Sequence, residues 1–192
     1  MPLSEFAARL ASIAENQYTT FHLYAEDDPE LCGQIKRFWT ELGFTFQSCT
    51  SVPWSAVFIS WCVKQAGASS TEFKFAAAHS KFVHTAIKNA TNNTGKFRGF
   101  AIDKYKPQIG DIIQNNRGGN NFGFEFAKTH DSYESHSAIV IETGQDHNGH
   151  YALTVGGNES NSIRQSIVRL DQNGFIKQRS SSSYISVIQN LK

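Results

Sequence analysis

What the chain lacks narrows the field first. Its 192 residues hold three cysteines, Cys32, Cys49 and Cys62, an odd count without metal-type spacing. Such a count argues against a disulfide framework and against a zinc site, and a reducing birthplace is the simpler expectation. Charge of one sign is not in excess. The formal net charge is +1, so there is no electrostatic ground for a nucleic acid or an acidic membrane as partner. No apolar run approaches the roughly 20 residues that span a bilayer. The opening "MPLSEFAARLASIAENQY" lacks the basic and continuously apolar regions of a secretory signal. Internal repeats are absent, as are H-x-x-x-H and H-E-x-x-H patterns. Neither a metal nor a cofactor is expected.

What is present reads as one soluble domain over residues 1–192, with 40% hydrophobic and 18% charged residues. The first half is helical in pattern. Ser4 is placed to cap a helix over 4–15, with Phe6, Leu10 and Ile13 at helical spacing. In "DDPELCGQIKRFWTELG", Asp28 caps, Pro29 takes the first helical position and Gly43 stops the helix. Residues 54–66 form an almost wholly apolar helix, and "FAAAHSKFVHTAIKNA" is a fourth. After residue 97 short β-type runs alternate with turns: "GDIIQ", "HSAIVIE", "YALTVGG", "SIRQSIVRL" and "SYISVIQN". The glycine- and asparagine-rich "NNRGGNNFGFEF" reads as a loop near a site. Helices followed by an antiparallel sheet make the fold class α+β.

Candidate chemistry gathers at a few positions. Ser55, in "SVPWSAVFISW", falls at the start of the buried helix. There it is either a helix cap or a nucleophile served by outward-pointing backbone N–H groups. His136 opens the strand "SHSAIVIE", a rigid place for a general base, or is a structural histidine. Asn158 in "VGGNES" is either a turn residue or the group that orients a histidine. Glu142, six residues after His136, is a weaker orienter by strand parity. Asp111 begins the strand of "PQIGDII", as a turn residue or a site carboxylate. The one conceivable metal set is His79, His136 and Asp111.

Taken in order, "PWSAVFISW", "GDII", "SHSAIVIE" and "VGGNES" resemble the NlpC and CHAP amidohydrolases, the papain-like peptidoglycan hydrolases. A bacterial branch described as a domain of unknown function carries "PWSA" and "AAHS", and "FAAAHSKFV" brings His79 into consideration. The resemblance covers residues 28–170 and leaves 1–27 as a helical extension. It implies a papain-like fold with Ser55 as nucleophile, His136 as base and Asn158 as orienter. Trp54, His79, Asp111 and Arg117 then line the substrate site, with Phe122 and Phe124 nearby.

The departure falls at the residue that matters most, because the superfamily uses cysteine and a serine hydroxyl is scarcely ionised at neutral pH. Three accounts of Ser55 stay open: a working serine nucleophile, an engineered replacement of cysteine, or a degenerate site in a binding module. Cys62 lies two turns along the same helix and belongs to the core. Cys49, just before the helix, is a minor alternative nucleophile.

The resemblance implies cleavage of an amide bond in peptidoglycan or its stem peptide. Made in the cytoplasm, such an enzyme would act at the periplasm or cell wall. It would be delivered by lysis or by dedicated secretion, as a type VI effector with an immunity protein as partner. Ester hydrolysis on the same site, or binding without turnover, are the alternatives.

Overall fold

Ser4 opens the first helix as the pattern predicts: in a computed structural model describing residues 3–192, its hydroxyl accepts the Ala7 N–H at 3.1 Å. Helix α1 (Glu5–Phe21) runs six residues further than expected and buries Phe6, Leu10 and Ala14. Helix α2 (Pro29–Glu41) begins at the predicted proline. Asp28 does not cap it, however. Its carboxylate turns back to accept the Ala25 N–H at 2.7 Å. Gly43 ends the segment at φ +79°, a conformation that suits glycine.

Helix α3 (Ser55–Gln65) is buried along residues 55–63 and packs between α1, α2 and the sheet, which explains why its sequence is apolar all round. Helix α4 (His79–Thr91) starts four residues later than the pattern suggested. The reason lies in α3: Ser60 donates its hydroxyl proton to the Ala76 carbonyl at 2.9 Å and accepts the Ala76 N–H at 3.0 Å. With the Ala76 backbone satisfied from outside, the 75–78 segment stays out of the helix, and His79 becomes the first helical residue rather than a mid-helix one.

The second half is a six-stranded sheet: β1 (Phe97–Phe100), β2 (Ile112–Asn116), β3 (Ser135–Asp146), β4 (Gly149–Glu159), β5 (Ser162–Arg169) and β6 (Tyr184–Asn190). The spatial order is β1-β6-β2-β3-β4-β5, and every neighbouring pair is antiparallel. The α+β expectation holds at that level. A short helix α5 (Phe124–Thr129) begins in the last three residues of the stretch read as a loop and runs past it.

Strand parity divides the apolar residues between two faces. Ile112, Ile139, Val155 and Ile188 join the helices in the main core. Ile113, Val140, Val168 and Val187 form a smaller cluster on the other face, together with Ile176 from the segment before β6. Gly157 lies where the start of α3 crosses β4: a Cβ there would stand 2.7 Å from Phe58 and Trp54. Among the described residues no helix is long and apolar enough to cross a membrane.

Cys32 and Cys49 are joined in a disulfide, with Cα atoms 5.4 Å apart, which overturns the expectation drawn from the odd count. Cys62 is the free thiol, buried in α3. The pairing arises because the chain leaving α2 doubles back before α3. That tertiary event leaves no mark on cysteine spacing.

The bridge closes a loop between residues 17 apart, so reduction, or Cys49→Ser, is expected to lower unfolding free energy by about 3 kcal/mol; paired urea melts with and without reductant measure it. Gly157→Val is expected to destabilise by about 1–3 kcal/mol, because the rings it meets are fully buried and cannot retreat; its thermal midpoint should fall clearly below that of the parent.

Candidate functional site

Trp54 occupies the cap position of α3, without a side-chain capping bond, and Ser55 is the first helical residue. The cap reading of Ser55 therefore gives way. Its hydroxyl is engaged instead with His79: Ser55 Oγ lies 2.7 Å from His79 Nε2. Both residues head helices, α3 and α4, and both are buried, Ser55 at 2% and His79 at 5% exposure. The first N–H groups of α3 have no partners within the helix and stand beside the hydroxyl.

Burial is the main force holding the His79 pKa well below its usual 6.5, with the charges of His136 and Arg117 adding to it. His79 is therefore neutral at pH 7, the form in which Nε2 accepts a proton from a serine hydroxyl. Its Nδ1 is buried and has no hydrogen-bond partner among the described residues.

His136 stands next in line. Its ring lies 5.4 Å from that of His79, edge to face. Its own bond goes elsewhere: Nε2 is 2.8 Å from Glu159 Oε1, and Ser166 donates to the other Glu159 oxygen at 3.0 Å. Gly156 makes room for this pair, since a Cβ there would come within 2.0 Å of Glu159 and 2.9 Å of His136.

The group that orients His136 is thus Glu159, one residue beyond the expected Asn158. A bulge explains the exchange. The β4–β5 register shifts between Gly157 and Glu159, and Asn158 itself sits at φ +58°. Asn158 is thereby turned away, and its amide donates to Glu26 Oε2 at 2.7 Å. The indole of Trp54 donates to that same oxygen at 2.9 Å. A second bulge, between Val140 and Glu142, removes Glu142 from the His136 side, and Glu142 instead accepts the Tyr151 hydroxyl.

The remaining expected site residues divide. Trp54 is fully buried and braces the site without lining a cleft. Arg117 is exposed on the loop after β2, close enough for its charge to act on His79. Phe122 and Phe124 pack partly against the main core, with Phe122 stacked 4.2 Å from Phe126. Asp111 is a structural carboxylate: it accepts the Asn190 N–H at 2.8 Å and the Gln108 N–H at 2.7 Å, closing the turn before β2 and pinning the end of β6. Burial pushes its pKa up to about 7 against the pull of those N–H groups. It does not meet His79 and His136, and no metal-holding group of three His, Cys, Asp or Glu occurs among the described residues.

The family model described as "Uncharacterized protein conserved in bacteria (DUF2272)" matches residues 27–189. The chain belongs to that family. No curated protein and no solved structure matches it. Ser55, His79, His136 and Glu159 all lie within the span matched to the family, whereas α1 and Glu26 fall just before it. Sequence reasoning missed two residues, Glu159 and Glu26. The only available signal for the first was a carboxylate next to Asn158, and for the second an acidic cluster, "AEDDPE".

The buried, neutral His79 makes stability depend on pH. Its folded pKa lies below the unfolded 6.5, so the unfolded chain binds the extra proton. His79 should therefore cost stability as pH falls below about 6.5, until the folded pKa is passed. In His79→Gln the loss of thermal midpoint between pH 7 and pH 5 should be smaller than in the parent. An equal loss in both would show that His79 is not buried in its neutral form.

Proposed function

We propose that the chain is a hydrolase that cleaves an amide bond in bacterial peptidoglycan, with Ser55 as nucleophile and His79 as its base. The observation that carries this reading is the 2.7 Å contact between Ser55 Oγ and the neutral His79 Nε2 at the head of a buried helix. Membership of a bacterial family and the resemblance of the motifs to the papain-like NlpC and CHAP amidohydrolases support the substrate class.

In this mechanism Ser55 Oγ attacks the scissile carbonyl carbon as its proton passes to His79 Nε2. The carbonyl oxygen gains the negative charge and meets the unpaired N–H groups in the first turn of α3. His79 then protonates the departing amine, leaving an acyl-Ser55 ester. Water, deprotonated by the same imidazole, attacks that ester and releases the acid. His136, fixed by Glu159, forms the wall beside the His79 ring and acts as a positioning residue. The same steps would cleave an ester more readily than an amide. Delivery to the periplasm, by lysis or by a dedicated secretion system with an immunity protein in the producing cell, follows from this substrate.

One observation favours a second reading. Ser55 is only 2% exposed, and a Ser–His pair sealed in this way also suits a peptidoglycan- or protein-binding module without turnover. The two readings part in a digestion of purified peptidoglycan, with products identified by mass spectrometry. As a hydrolase, the chain releases fragments, and Ser55→Ala and His79→Ala each lower kcat/KM by at least about a thousandfold. Retained activity in Ser55→Ala would end the serine-nucleophile reading, and activity confined to Ser55→Cys would make the chain a disabled cysteine enzyme. The acid limb of kcat/KM against pH should lie below 6.5, because His79 must lose its proton to act and its pKa is lowered. A limb above 6.5 would assign the base to another group.

A further inference from the structure

On the sheet face turned away from the helices, a cavity of about 170 Å³ opens where β2 ends and β3 begins. It has room for several waters or one small organic group. Its floor is apolar, from Ile113 and Ala138. Its polar wall follows the strand register: Asn115 is paired across the sheet with His136 on one side and Tyr184 on the other. The Arg179 guanidinium lies 4.4 Å over the Tyr184 ring, and its Nε donates to the Ser182 carbonyl at 3.0 Å.

Charge in the cavity is unevenly used. Both Glu159 oxygens are taken, by His136 and by Ser166. The Nη groups of Arg179 have no hydrogen-bond partner among the described residues, and neither do the Asn115 side-chain oxygen and the Tyr184 hydroxyl, while one Asn115 amide N–H donates to the Asn116 carbonyl. The free capacity is therefore a planar cationic fork beside neutral polar groups, the Asn115 side-chain oxygen among them. A fork of this kind matches a carboxylate. The satisfied Glu159 carboxylate nearby disfavours a dianion such as phosphate.

We infer that this cavity is a subsite for the C-terminal residue of a peptide, its free carboxylate on Arg179, its amide N–H on Asn115 and a small side chain on the Ile113–Ala138 floor. The inference rests on the hydrolase reading for its biological sense, since His136 links the cavity through His79 to Ser55. Binding itself needs no turnover.

The test is titration of the intact protein with N-acetylalanine of either hand, and with the corresponding amides, followed by NMR of the His136 ring. The acid should bind at least about tenfold more tightly than its amide, as a charge-assisted fork requires. In Arg179→Gln that preference should vanish. Arg179 is exposed, so folding should survive the change, and an unchanged thermal midpoint verifies it. Equal binding of acid and amide, no binding of either, or a preference that persists in Arg179→Gln would each overturn the inference. If peptidoglycan digestion fails while the acid preference holds, the hydrolase reading falls and the subsite stands; the reverse result removes the subsite alone.

Discussion

One buried carboxylate joins the parts on which the site depends. Glu26, in the link between the first two helices, is only 8% exposed, and its Oε2 receives two side-chain donors: the Trp54 indole from the residue preceding α3 and the Asn158 amide from the bulge in β4. Its backbone N–H also donates to the Asn161 carbonyl at 2.7 Å. Three segments far apart in sequence thus meet at a single residue. A buried carboxyl group is tolerated only where such donors converge, and removing any one of them leaves it less fully compensated for the water it has lost. The position of Ser55 at the head of α3 is inherited from this joint.

Much of the fold could be read from residue patterns. The proline that starts α2, the apolar girth of α3 and the alternation in β3 and β4 follow local rules, and the α+β class follows from their order. The errors arose where a distant group decided a local outcome. Ser60 satisfies the backbone at Ala76 and so delays α4 until His79. The Cys32–Cys49 bridge depends on how the chain returns after α2.

The site shows the same division. Ser55, His79 and His136 were each visible as chemistry-bearing residues at element starts. The pairing among them was not, because it depends on the packing of α3 against α4 and on the sheet end. The two bulges matter most. Each adds one residue to a strand, so parity counted along β3 from His136 fails at Glu142, and on β4 the expected Asn158 is turned away. Glu159, not its neighbour, faces the imidazole for that reason.

The third cysteine bears on how the bridge forms. Three thiols allow three single pairings: 32 with 49, 32 with 62, and 49 with 62. Cys62 is fully buried in α3, and burial raises its pKa well above the ordinary thiol range, so it has almost no thiolate with which to attack a disulfide. Once α3 has docked, two of the three pairings are closed. Oxidation then has a single product, and the bond once made cannot be shuffled from within the chain.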